Sequence, residues 1–204
     1  KVKFDINKIS KKKIKFKNLN FKFTPNIMGV LNLTPDSFSD GGKYNKKNFS
    51  SKRLNYLLNN GADIVDVGGE STRPGSKAIN SKVELKRLKE IFKNIKEKYI
   101  ISLDTRKADI MEKGIRQGVK IINDVSGLSY DRNTINILKK YKTPFVLHHS
   151  LGNPDVMQNE PKYKNVLLDI YDFFENKIRD IRNMGIKHNN IMIDPGIGFG
   201  KNLK

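Results

Sequence analysis

An α/β domain with a parallel sheet is what this sequence predicts, and three observations predict it. Short apolar runs of strand length recur along the chain, separated by segments whose apolar residues fall at three- and four-residue spacing. The runs are β-branched and continuous rather than alternating, as strands buried on both faces of a parallel sheet should be. Polar groups stand at successive strand ends: Asn32, Gly68-Gly69-Glu70, Asp104, Asn123, His149 and Asp194. An open dinucleotide-binding sheet would follow its first strand with a G-x-G-x-x-G turn and gather its polar groups at one crevice. Here that turn reads NLTPDSF. Polar groups offered from nearly every carboxyl end predict instead a TIM (β/α)8 barrel with one shared mouth. Six βα units in about 180 residues give a repeat near 30, so the chain supplies about six of the eight units of a barrel of about 250 residues.

The elements follow in order. Residues 1–25, opening KVKFDINKISKKKIKFKNLNFKF, alternate apolar and polar positions and read as a strand segment leading into a barrel at 26–204. This segment has no apolar core for a secretory signal, and it is lysine-rich where a transit peptide would be rich in Arg and Ser. The strands are NIMGVLNL (26–33), DIVDV (63–67), YIISL (99–103), VKII (119–122), FVLH (145–148) and IMI (191–193). Between them KKNFSSKRLNYLLNNG, NSKVELKRLKEIFKNIKEK, KADIMEKGIRQG, RNTINILKKY and KYKNVLLDIYDFFENKIRDIRNMG carry the helical spacing, and several close on Gly, a helix-end signal. No run approaches the 18 or so apolar residues of a membrane span. The absence of cysteine excludes disulfides and thiolate metal sites, and a cytoplasmic location is expected. The chain starts on Lys and stops at GFGKNLK after a strand and loop, and it reads as a fragment cut after the sixth strand.

The net charge of +19 invites a nucleic-acid partner. The positive residues are 32 Lys to 8 Arg, and Lys, Asn and Ile make up 78 of 204 residues, the bias of an A/T-rich coding sequence. The lysines are spread along helix faces rather than set in an arginine stripe with stacking aromatics. No nucleic-acid partner is therefore expected, although anionic small substrates would be attracted.

Several residues at the predicted mouth carry chemistry. Asn32 offers a hard oxygen suited to Mg2+, or it caps a turn. Asp104 and Asp194 end apolar strands, where a carboxylate is costly unless paired, solvated or matched by N–H donors of a ligand. Asp104-Thr105 also fits a helix N-cap, whereas Asp194 precedes Pro195-Gly196 and no clear helix. Neighbours on a strand point to opposite sides, so only one of Asn123 and Asp124 can face the mouth. In GVLNLTPDSFSDGGKY, turn chemistry accounts for Pro35, Asp36, Gly41 and Gly42 but not for Phe38. The second loop, GGESTRPGS, carries hydroxyls and a guanidinium that suit phosphate oxygens, or it is an ordinary surface loop. His148 and His149 are adjacent and cannot both face one ion, so zinc is not expected. PGIGFGK lacks the K-[ST] ending of a phosphate loop, and no nucleophile elbow is present.

Together IMGVLNLTPDSFSDGG, DIVDVGGESTRPGS, ISLDTRKADI, IINDVSG, FVLHHSLGNPDVMQ and IMIDPGIGFGK resemble the dihydropteroate synthase family of pterin-binding TIM-barrel enzymes. The resemblance implies condensation of 7,8-dihydropterin-6-ylmethyl diphosphate with p-aminobenzoate, releasing diphosphate. It implies that Asn32 touches the Mg2+ on the diphosphate and that Asp104, Asn123 and Asp194 bond the pterin. It places Asp40 near the developing cation and Phe38 in the p-aminobenzoate pocket, under a first loop that closes over the site. Ser71, Thr72, Arg73 and Pro74 would come to the same mouth, with Arg73 counted among the catalytic groups, and Phe199 would pack near both substrates. A homodimer is implied for the full-length protein. The family's Ser-Arg-Lys motif on the seventh strand and Arg-x-His motif on the eighth are absent from this chain, so weak catalysis is expected of it alone. His148 stands where the family often has Met. Two other readings compete: a pterin barrel transferring a methyl group, disfavoured by the TPDSFSDGG and STRPG loops, and a non-catalytic basic module for nucleic acid.

Overall fold

A computed structural model describes residues 19, 21, 25–34, 48–71, 76–150 and 163–201. Among the described residues six strands alternate with five α-helices: β1 (Met28–Asn32), α1 (Phe49–Asn59), β2 (Ile64–Gly68), α2 (Ser81–Asn94), β3 (Ile101–Asp104), α3 (Ala108–Arg116), β4 (Ile121–Asp124), α4 (Thr134–Tyr141), β5 (Phe145–His148), α5 (Val166–Asn183) and β6 (Ile191–Asp194). All five strand pairings are parallel, and the sheet order is the chain order, β1 to β6. A doubly wound sheet reverses direction at a switch point; this one never does, which is the strand order of a barrel wall. The first twenty-five residues, expected as an entering strand, fall mostly outside the described part.

The alternation of side chains along each strand divides the wall into two faces. Val65, Val67, Ile101, Leu103, Ile122, Phe145 and Leu147 join Leu54, Leu88, Ile110, Met111, Leu138, Phe174 and Ile181 of the helices in the main core. A second cluster lies on the other face, where Ile64 and Ile121 pack with Leu19, Phe21, Val146 and Met192. That apolar floor closes the interior, and polar residues occupy the same face one pleat nearer the carboxyl ends.

Helix α3 shows how the outer layer is fixed. Ala108, Ile110, Met111 and Gly114 are its buried residues, the stripe that a 3.6-residue period turns toward the sheet. Gly114 lets α3 approach the sheet closely: a Cβ there would stand 2.5 Å from Leu103 Cδ2 and force that side chain to shift. The glycines expected to close helices do so in the left-handed region, with φ of +98° at Gly61, +103° at Gly118 and +95° at Gly185. Asn80 and Asn165 cap α2 and α5 with their side-chain oxygens.

Strands β2, β3, β4 and β6 run one or two residues further toward the mouth than the apolar runs predicted, whereas β1 stops one residue short, at Asn32, and β5 ends where expected. Asn32 is level with Gly68, Gly68 with Asp104, and Asp104 with Asn123. The ladder is a property of the backbone and continues through polar residues that periodicity reads as loop. These polar groups thus sit on strand rather than beyond it.

Candidate active site

One face of the wall presents Asn32 and Gly68, then Asp66, Ser102, Asp104, Asn123, His148 and Asp194, all near the carboxyl ends of β1 to β6. Gly68 is the gap in this row. An added Cβ would lie 3.3 Å from Asn32 Oδ1 and 3.4 Å from Asp104 Oδ2, so the missing side chain leaves room between two oxygen donors from neighbouring strands.

Asp104 is not the helix cap that its sequence allows. The N-cap of α3 is Lys107, and Thr105 donates its hydroxyl to Glu84 at 2.6 Å. Burial lifts the Asp104 carboxyl well above the usual range, and the negative charges of Asp66, Asp124, Glu84 and Glu70 lift it further.

Asn123 and Asp124 divide as strand geometry requires. Asp124 accepts from the Ser126 backbone at 2.8 Å and hydroxyl at 2.6 Å, a local turn. Asn123 donates its amide to Asp66 Oδ2 at 3.0 Å, which leaves its own oxygen as an acceptor with no partner among the described residues. Asp66 is a residue the sequence reading missed. Its signal was an acid in the middle of the apolar run DIVDV, where burial forbids an idle carboxylate. Burial pushes this carboxyl up, and the adjoining Ser102 and Asn123 partly offset the effect. The Ser102 hydroxyl lies close to it without the geometry of a hydrogen bond.

Asp194 accepts from Gly196 N at 2.8 Å through Oδ1, and its Oδ2 lies 4.0 Å from His148 Nε2. Its side chain is 50% exposed, so the second oxygen can meet a ligand. Phe199 sets its ring edge-on to His148, with centroids 4.6 Å apart. Lys201 is not a free phosphate grip: its ammonium donates to His149 O at 3.0 Å and Phe199 O at 2.9 Å, and it meets His149 Nδ1 at 2.9 Å. The adjacent histidines take separate partners, and among the described residues no three His, Cys, Asp or Glu gather as a metal cage.

Behind the row lies a second polar cluster, and Glu70, expected among the strand-end groups of the mouth, belongs to it. Glu70 accepts from Ile79 N at 2.8 Å, from Arg106 Nε at 3.1 Å and from Lys107 Nζ at 2.8 Å. Lys107 Nζ also donates to Glu84 Oε2 at 2.6 Å. Burial alone would raise the Glu70 carboxyl, but Arg106, Lys107 and the Ile79 N–H outweigh it and hold the group below the usual range. The cluster ties the turn after β2 to the turn that follows Asp104.

Of the residues expected at the mouth, Asn32, Asp104, Asn123, Asp194 and Phe199 are placed there. Ser71 is half-buried at the stem of the second loop, where its carbonyl accepts from Ser76 Oγ at 2.7 Å. Phe38, Asp40, Thr72, Arg73 and Pro74 lie outside the described residues. A cleft of about 940 Å3 opens elsewhere, between α5 and β6, lined by Tyr171, Phe174, Ile178, Arg182 and Ile193. None of the row lines it.

A parallel barrel wall with polar acceptors at its strand ends defines a class of small-molecule site, and comparison with known proteins specifies it. The family model described as pterin binding enzyme matches residues 28–204. A dihydropteroate synthase of Clostridium beijerinckii is 42% identical over 191 residues, covering 93% of this chain and 68% of that protein. The crystal structure of the Yersinia pestis dihydropteroate synthase with a sulfonamide drug complex superposes with a TM-score of 0.83 at 35% identity, over 93% of this chain and 70% of the other. The Burkholderia cenocepacia dihydropteroate synthase complexed with 7,8-dihydropteroate gives a TM-score of 0.76 at 31% identity, over 88% and 61%. This chain belongs to the dihydropteroate synthase family of pterin-binding enzymes, transferases of folate biosynthesis with the TIM-barrel fold. It spans about two thirds of the length of the relatives it matches.

Proposed function

We propose that this chain forms the pterin half of a dihydropteroate synthase site, which condenses 7,8-dihydropterin-6-ylmethyl diphosphate with p-aminobenzoate to give 7,8-dihydropteroate and diphosphate. The observation that carries this reading is the row of acceptors, Asp104, Asn123 and Asp194, on three strands of one rigid wall. A pterin offers amino and ring N–H donors to such acceptors. Phe199, against His148, supplies an apolar surface at the same rim.

The chemistry needs no nucleophile from the protein. As the bond from the pterin methylene carbon to the diphosphate oxygen breaks, positive charge spreads into the ring, and the carboxylates of Asp104 and Asp194 favour that charge electrostatically. The amine of p-aminobenzoate then attacks the same carbon and loses a proton to solvent. Mg2+ would neutralise the leaving diphosphate. The donor chemistry fits, since Asn32 gives one hard oxygen at an exposed strand end and Mg2+ takes most of its ligands from phosphate and water. Asn32 and Arg73 serve the diphosphate, and Asp40 the developing cation. Phe38, Ser71, Thr72 and Pro74 wall the p-aminobenzoate pocket, where a sulfonamide would compete. A cytoplasmic enzyme that works as a homodimer completes the reading.

Titrating the chain with 6-hydroxymethylpterin tests it. Asp104→Ala should weaken binding at least tenfold while leaving the circular dichroism spectrum unchanged. Salt-sensitive binding to duplex DNA with no pterin binding would overturn the reading in favour of a basic nucleic-acid module.

A further inference from the structure

His148 is 2% exposed, yet its Nε2 has no hydrogen-bond partner among the described residues. The other ring nitrogen is committed. Nδ1 lies 3.1 Å from the carbonyl oxygen of Val125, which can only accept, so in the neutral ring Nδ1 carries the proton and Nε2 holds a lone pair. That lone pair points at no donor. It sits 4.0 Å from Asp194 Oδ2, an acceptor. The ring has no freedom to turn away, because Phe199 stands edge-on to it at 4.6 Å and the Gly196 turn is packed so closely that a Cβ there would be 2.7 Å from Nε2.

We infer that His148 is a positioning residue for the Asp194 acceptor: the neutral ring leaves Oδ2 open to a ligand N–H, and the protonated ring takes that oxygen through Nε2–H. This inference rests on the pterin reading of the site and goes beyond it, by making one strand-end carboxylate available or unavailable through its neighbour. The charged groups around the ring divide in their effect. Asp194 on β6 favours protonation, while Lys201 beyond it opposes; His149, just past the end of β5, is engaged by Lys201, and Asp124, just before Val125, is engaged by Ser126. Burial is the largest influence and leaves the ring neutral at neutral pH, its proton affinity below the ordinary histidine value of 6.5. Asp194 is therefore open under ordinary conditions and is withdrawn on acidification. A bound N–H donor and the histidine proton compete for one oxygen, so each must weaken the other.

The test is an NMR titration of the chain's three histidines, with the His148 signal assigned by its absence in His148→Gln. It is run on the free chain, on the chain saturated with 6-hydroxymethylpterin, and on ligand-free Asp194→Asn. The midpoint of His148 should fall in the pterin complex by at least half a pH unit, which is about threefold in differential affinity. It should fall again in Asp194→Asn, where the carboxylate that favours the proton is gone. His148→Gln, or His148→Met if the first variant folds poorly, should bind pterin with a shallower loss of affinity on acidification than the parent. An unchanged His148 midpoint in Asp194→Asn overturns the inference whether or not pterin binds. A chain that binds no pterin but shows that fall overturns the reading of the site and confines His148 to a pairing with Asp194.

Discussion

Two polar clusters lie within the same barrel wall, and they are built on opposite rules. Around Glu70, Glu84 and Lys107 the charges are buried and paired with one another, with Arg106 half-buried against Glu70. Along the mouth, Asp66 Oδ1, Ser102 Oγ, Asn123 Oδ1 and His148 Nε2 are buried with no partner among the described residues, as is Asp124 Oδ2 beside them. A protein that pairs one set so fully has the means to pair the other. Leaving polar atoms open costs free energy on folding, and a ligand that supplies the missing donors recovers it. The contrast separates residues that pair with one another from residues whose polar atoms have no partner among the described residues, and on the proposed function the second set meets a ligand.

Breaking the paired cluster should give the largest effect. Lys107→Ala leaves Glu84, fully buried, and Glu70 without their shared cation. A loss of about 3–5 kcal/mol is expected, measured by urea denaturation. Gly114→Ala tests the apolar layer behind both clusters. Its new Cβ would press on Leu103, and overpacking of that kind costs about 1–3 kcal/mol with no direct effect on the mouth.

The mouth should respond with the other sign. Asp104→Asn removes a carboxylate that its surroundings disfavour when ionised, so the variant should be more stable at neutral pH, by about 1 kcal/mol, while binding pterin less well. The pH dependence follows from linkage. The folded-state value of Asp104 lies above its unfolded value, so the parent keeps this group's contribution below the unfolded value and loses it as pH rises through the folded one. The advantage of Asp104→Asn should therefore be small near pH 4 and grow toward neutrality, as thermal melts across that range would record. The smallest effect is a fraction of a proton. Pterin N–H donors favour ionised Asp104, so binding should release protons, seen as a calorimetric enthalpy that varies with the ionisation heat of the buffer.

How much of this was legible in the sequence follows from the same contrast. The α/β order and all six strands were legible because buried parallel strands are continuous apolar runs, and runs survive in one dimension. The strand-end positions of Asp104, Asn123 and Asp194 were legible from where the apolar runs stop, whereas the choice between cap, turn and ligand acceptor was not, and their pterin role came from the family resemblance alone. Asp66 and Ser102 were not legible, since only the register of neighbouring strands brings them beside Asn123. Nor was the Glu70 cluster, whose members come from the turn after β2, from α2 and from the turn after β3 and meet only in the folded wall. The opposition of His148 to Asp194 was not legible either, because it depends on a 4.0 Å approach that no spacing encodes.

The central claim is that the open acceptors of the mouth are a pterin site. Calorimetric titration with a non-hydrolysable dihydropterin diphosphate analogue and Mg2+, run in parallel on Asp194→Ala, tests it most directly. The parent chain should bind, and the variant should lose at least tenfold in affinity with its melting temperature unchanged or raised. Equal binding by both chains, or none by a folded parent, would contradict it.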